Sequence, residues 1–245
     1  MPGPRLLLEE TLPKRRAAPR EGQDEGERDT VDEKPGYIPA LGIHRLTPLY
    51  DPLLRWVMRE SIFKRRLIEQ ARIQAGQRVL DLGCGTATLT IQVKQIHPGA
   101  GVAGIDGDGQ ALEIGRAKAT RAGVYIALDC GMAQQLPYAD RSFDRVLSSL
   151  VLHHLTAGDK QRALSEAARV LKPGGELHVV DFGKPHNAYT KLVSRLMQRL
   201  ERAADNIQGR LPAMFRVAGF DPVSETARFT SVFGALSLYR MRKPD

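Results

Sequence analysis

Cysteine is nearly absent: Cys84 and Cys130 are the two in 245 residues. Their spacing gives neither a disulfide framework nor a zinc site, so a reducing compartment is the simpler setting. Long apolar runs are missing too. None approaches the roughly 18 residues of a spanning helix, and the N-terminus has no apolar core followed by a cleavage signal. A soluble, unsecreted, cytoplasmic protein is expected.

Apolar residues make up 42% of the chain, enough for the core of one large α/β domain. The formal charge of +8 is unevenly spread, because residues 1–36 hold seven Lys/Arg and nine Asp/Glu and the remainder holds 29 and 19. That basic excess would suit a nucleic acid or an anionic membrane, but a scattered excess of this size is ordinary for a soluble enzyme. Within residues 1–36 only Leu6 to Leu8 cluster, too little apolar surface to offset ordering, so this stretch reads as a disordered charged tail. Residues 37–245 are expected to form a single domain.

What is present centres on Arg78-Val79-Leu80-Asp81-Leu82-Gly83-Cys84-Gly85-Thr86-Ala87-Thr88, an apolar run carrying one acid that breaks into a glycine turn. Leu89, Val93 and Ile96 follow at helical spacing. The reading is strand, tight turn, helix. Gly83 and Gly85 let the backbone turn sharply and let a ligand approach it, while the helix start offers unpaired N–H groups. The third glycine of the dinucleotide-binding pattern would fall at position 88, where Thr88 stands. Asp81 would repel a pyrophosphate and attract an ammonium or sulfonium group, so the expected ligand is a cation. A nicotinamide oxidoreductase rests on the glycine turn alone. Cys84 reads as a small residue that fits the turn.

Further along, short apolar strands at 101–106, 124–128, 144–150 and 176–182 alternate with helices at 110–122 and from a Thr156/Asp159 capping pair through Val170. Such alternation implies a parallel sheet with helices on both faces and a ligand at the carboxyl ends of the strands.

The glycine motif and four more between Gly101 and Pro185 together resemble the class I S-adenosylmethionine-dependent methyltransferases. The resemblance implies a Rossmann-like, doubly wound, mostly parallel seven-stranded sheet closed by a C-terminal antiparallel hairpin, here at 223–228 and 233–242. It divides the domain into a helical lid segment (37–77), a cofactor-binding core (78–182) and substrate-side helices and strands (183–245). Leu46-Thr47-Pro48-Leu49-Tyr50-Asp51 is similar to the tyrosine-aspartate segment of the quinone-biosynthesis branch, which would put Tyr50 in a substrate lid, although Tyr50 and Trp56 read equally well as packing aromatics.

The resemblance assigns the cofactor, S-adenosyl-L-methionine, to Asp81, Gly83, Cys84, Gly85, Asp106, Gly107, Met132, Ala133 and Ser148. Asp106 closes its strand 23 residues after Gly83, where a carboxylate accepts bonds from vicinal ribose hydroxyls; Asp108 competes for that role. The chain departs from its family at adenine: aligned on Leu136-Pro137-Tyr138, the usual Gly-Asp-Ala is Gly131-Met132-Ala133. Met132 could cover the ring apolarly, or Asp129 could substitute. His153 and His154 lie in a Leu-His-His-Leu stretch common among small-molecule members, where one ring could act as a general base or the pair could orient the loop, with His154 also facing substrate. No metal is needed, because an activated methyl requires only a nucleophile held in line about 3 Å away.

Asp181-Phe182-Gly183-Lys184-Pro185 is similar to the Phe-Ser-Lys-Pro segment of ubiquinone/menaquinone carbon-methyltransferases, which points to a small, lipophilic or quinone-like acceptor. Nucleic acid is not expected as a partner, since the Asn/Asp-Pro-Pro-Tyr/Phe motif is absent, and arsenite methylation would need more thiols. Residues 187–204 place Leu192, Val193, Leu196, Met197 and Leu200 on one face, with Lys191, Arg195, Arg199 and Arg202 largely opposite. Covering a core is the favoured reading of that helix, and peripheral membrane contact stays open. The alternative function is a catalytically silent, cofactor-binding scaffold, favoured by Met132 and opposed by the intact Asp81, Gly83, Gly85 and Asp106. Oligomeric state is not legible.

Overall fold

The structure is a computed structural model that describes residues 60–200 and 203–245, so the charged tail and the Tyr50 and Trp56 lid assignments lie outside the described residues. Its chain order is α1 (Glu60–Ala71), β1 (Arg78–Leu82), α2 (Thr88–Ile96), β2 (Gly101–Asp106), α3 (Gly109–Arg121), β3 (Ala127–Cys130) and β4 (Phe143–Ser149). A 3-10 turn (Leu152–His154) follows, then α4 (Ala157–Val170), β5 (Leu171–Phe182), α5 (Ala188–Leu200), α6 (Ala204–Ile207), α7 (Leu211–Val217), β6 (Val223–Ser231) and β7 (Gly234–Arg242).

One seven-stranded sheet runs β3-β2-β1-β4-β5-β7-β6. The first five strands are parallel neighbours, and β7 pairs antiparallel with both β5 and β6. The order reverses between β1 and β4, so the crevice at their carboxyl ends is where such sheets bind ligands. Leu80, Leu82, Val146, Leu177 and Phe215 lie in one apolar cluster; Phe63, Leu67, Val79, Val93, Leu147 and Val180 lie in another. Both faces of the central strands are therefore covered, as near-continuous apolar runs require.

Three strands differ from the expected bounds. β6 runs to Ser231 rather than 228, its end paired to Gly234. β3 begins at Ala127 rather than 124, because the end of α3 consumes the intervening chain: Gly123 sits at φ +65°, and the N–H of Val124 donates to Ala119 O at 3.1 Å. β5 begins at Leu171, before Pro173, because the strand's start is tied to the chain end beyond β7 through Gly174 N to Lys243 O (3.0 Å) and Lys243 N to Gly175 O (2.9 Å).

The α1 helix docks its Phe63, Leu67, Ile68 and Ala71 face on the sheet. Its Gln70 Nε2 donates to His178 Nδ1 (3.1 Å) and Tyr239 O (3.1 Å). The same histidine stands 3.2 Å from Glu176, whose other oxygen receives Arg240 Nε at 3.1 Å. Burial would raise the Glu176 carboxyl, but His178 and Arg240 hold it down to about 2.

Candidate active site

The glycine turn is specified twice over. Gly83 has φ +71°, and a Cβ there would lie 2.4 Å from Val151 Cγ2. Gly83 N and Cys84 N both donate to Ile105 O, at 2.9 and 3.0 Å, so the turn folds back over the end of β2. Gly104 makes room for Cys84, since a Cβ on it would come within 2.8 Å of the sulfur. Burial pushes the Cys84 thiol far above its usual range, which agrees with a packing residue. Gly85, at φ +51°, has nothing within 4 Å of where a Cβ would stand, so its backbone is open to an approaching ligand.

Asp81 ends up 2% exposed, with Thr90 Oγ1 donating to its Oδ2 at 2.7 Å. Burial lifts its carboxyl to about 6, against the opposing pull of Thr90 and Lys64. A carboxylate held this way gains from a cation brought to it. Asp106 closes β2, and its two oxygens accept from Gly85 N (2.7 Å) and Asp108 N (2.9 Å). Burial raises it as well. Asp108, the competing acid, is the N-cap of α3, its Oδ1 accepting from Gln110 N (2.8 Å) and Ala111 N (3.2 Å).

Gly107 adjoins Asp106, and Gly131 N donates to Asp106 O at 2.9 Å, which brings Met132 and Ala133, both half-buried, to the same end of the sheet. Asp129 is engaged instead by Tyr138, whose hydroxyl donates to it at 3.0 Å. Ser148, 1% exposed at the end of β4, and its half-buried neighbour Ser149 each hold a buried hydroxyl oxygen with no hydrogen-bond partner in the described residues. Two such groups beside an open glycine turn are what a polar ligand satisfies.

The group that sequence reasoning left without a role is Asp181, at the end of β5. It is wholly buried. Its Oδ2 accepts from Val151 N (3.1 Å) and Leu152 N (2.8 Å), and its Oδ1 from His153 Nδ1 (2.9 Å), Asn206 Nδ2 (2.9 Å) and Phe182 N (2.7 Å). Burial would raise this carboxyl, yet His153 and the donors around it hold it below the usual range, so it stays ionised and Nδ1 of His153 carries the proton. The His154 ring lies 3.9 Å from that of His153, and burial together with His153 pushes it down to about 4. Leu150, just before this turn, sits at φ +60°, a strained backbone for a bulky residue that the Asp181 contacts next to it hold in place. An acid ending a buried strand, as Asp106 does, was the signal available for Asp181.

The carboxyl ends of β1, β2 and β4 thus bring together open glycine backbone, two strand-end acids and two serine hydroxyls without a partner among the described residues. Residues 79–175 match the family described as a methyltransferase domain. The chain is 33% identical over 184 residues to the demethylmenaquinone methyltransferase of Listeria monocytogenes, covering 66% of this chain and 77% of that one. Its fold is like that of the YcgJ protein from Bacillus subtilis (TM-score 0.61, 19% identity, 74% of this chain and 98% of that one). It is also like that of phosphoethanolamine N-methyltransferase 2 of Haemonchus contortus, solved with S-adenosyl-L-methionine (TM-score 0.59, 18% identity, 74% and 52%). The chain belongs to the class I S-adenosylmethionine-dependent methyltransferases. Its cofactor is S-adenosylmethionine.

Proposed function

We propose that this enzyme methylates a small, lipophilic, quinone-like acceptor bound at the carboxyl ends of β4 and β5. The observation that carries the reading is the buried Asp181–His153 pair, set in apolar surroundings that include Leu152 and the edge of Phe182, 4.7 Å from His153. The name of the Listeria relative supports it.

S-adenosylmethionine supplies an activated methyl group. Asp81 attracts its ammonium end, directly or through a water; Gly83, Cys84, Gly85 and Gly107 line its path with backbone; Asp106 accepts from the ribose hydroxyls. Met132 covers the adenine with an apolar side chain, Ala133 offers a backbone N–H, and the Ser148 hydroxyl gains a partner. An acceptor that takes up a methyl group must give up one proton. His153 is suited to hold it, because the Asp181 carboxylate compensates the charge of an imidazolium, whereas His154 stays uncharged near neutral pH and serves as a hydrogen-bond acceptor toward the substrate.

The test is methyl transfer from labelled cofactor to short-chain demethylated naphthoquinols. Methylated product is expected, with His153→Ala lowering kcat by about 10²–10⁴ while cofactor binding persists. Transfer only to amines or to protein, with quinols inert, would overturn the reading.

A further inference from the structure

The first turns of helix α5 expose apolar side chains. Asn187 and Thr190 cap its start reciprocally: Thr190 N donates to Asn187 Oδ1 (2.8 Å), and Asn187 N to Thr190 Oγ1 (3.1 Å). Among its described side chains, Thr190 (0% exposed) and Ser194 (4%) are buried. The side it presents to solvent carries Tyr189 (45% exposed) and Leu192 (69%). The expectation that its apolar face covers the core is corrected at Leu192, which faces solvent, whereas Val193 is half-buried beside Gly234 of the hairpin.

Tyr189 Oη donates to Val232 O at 2.7 Å, joining α5 to the β6–β7 turn, where Val232 (52%) and Phe233 (37%) are also exposed. Four of the eight large hydrophobic side chains exposed among the described residues therefore form one patch. Water-facing apolar groups clustered this way mark an interaction surface. The patch lies at the working end of the sheet, because Leu236 of β7 pairs with Phe182, next to Asp181, and Gly183 N donates to Ala235 O at 3.0 Å.

Charge decides what the surface fits. The described residues of the rim, 183–194 and 225–234, contain Lys184, Lys191 and Arg228 against one acid, Glu225. Lys184 and Lys191 are exposed, while Arg228 is held by Glu225 at 2.7 Å. Lys184 faces Glu225 and Lys191 stands open to solvent, so aromatic and aliphatic side chains edged by a net positive charge match the boundary of a bilayer, with rings among the headgroups and cations against acidic phosphates.

We infer that this rim, formed by Tyr189, Leu192, Val232 and Phe233 with Lys184 and Lys191, seats on an anionic lipid surface and opens the methyl-transfer end toward the acyl phase. The inference rests on the lipophilic-acceptor reading for its purpose, though not for its geometry.

The experiment is co-sedimentation of the full chain with vesicles of phosphatidylcholine alone and of phosphatidylcholine with phosphatidylglycerol, in low and high salt. Binding is expected to the anionic vesicles, weakened by salt, and reduced about tenfold or more in Leu192→Glu and in Phe233→Glu. Tyr125→Glu, at a site 77% exposed outside the patch, should bind as the wild type does. Failure of the full chain to bind anionic vesicles overturns the inference, as does equal binding by both patch variants. Concentration-dependent self-association that disappears in Leu192→Glu, without vesicle binding, overturns it in favour of a second copy. Methyl transfer to soluble short-chain quinols is read in the same preparations, so that loss of the acceptor reading and loss of the docking reading are seen separately.

Discussion

On the proposal that Asp81 meets the cofactor's ammonium group, its titration couples cofactor binding to pH. Its carboxyl titrates at about 6 in the folded protein against an ordinary 3.8, so the folded state holds the proton more tightly than the unfolded chain does. The contribution of that group to stability is present below 3.8 and is lost as pH rises through about 6, roughly 3 kcal/mol in all. An ammonium group bound beside it favours the ionised form, so binding becomes stronger as Asp81 deprotonates. Stabilisation by S-adenosylhomocysteine, read as a thermal shift, is expected to grow from about pH 5 to about pH 7.5, and Asp81→Asn should flatten that dependence. A shift that is constant across the range in the wild type would separate Asp81 from the ligand. Asp81 and Asp106 were legible because each sits beside a glycine pattern or closes a strand. The division of labour between Asp106 and Asp108 was not, since two acids two residues apart differ only in where the backbone N–H groups point. Asn206 was invisible for another reason: its bond to Asp181 spans 25 residues of sequence.

Elements were readable where one local signal settled them. The helix after the glycine turn and the Thr156 cap fall within a residue or so of expectation, and Asp159 N does donate to Thr156 Oγ1, at 3.2 Å. The start of β3 and the solvent face of α5 depended on partners far along the chain. Helix α3 offers a clean separation of folding from binding. Removing its cap with Asp108→Ala should lower stability by about 1 kcal/mol in denaturant unfolding and leave cofactor affinity unchanged. Asp106→Ala should lower cofactor affinity, and stability as well, since Gly85 N and Asp108 N lose their acceptor. Equal losses of affinity in both variants would mean that the Gly107 turn, rather than Asp106 itself, determines binding.

At the scale of the molecule, the alternation of strands and helices made the parallel sheet legible, and the resemblance supplied the reversed final strands that composition does not show. The basic balance of residues 37–245 had no evident use in the sequence; the fold gathers part of it around the α5 rim, at the end of the sheet that holds Asp81, Asp106 and Asp181. No helix among the described residues is long and apolar enough to cross a membrane.

The most direct test is calorimetric titration of the purified full chain with S-adenosylhomocysteine, in the wild type and in Asp106→Ala, near neutral pH. The predicted result is micromolar binding by the wild type, weakened by about 1.5–3 kcal/mol in the variant, as loss of a charge-assisted contact requires. Unchanged affinity in a folded Asp106→Ala, or no binding by the folded wild type, would contradict the assignment of the cofactor to this cradle.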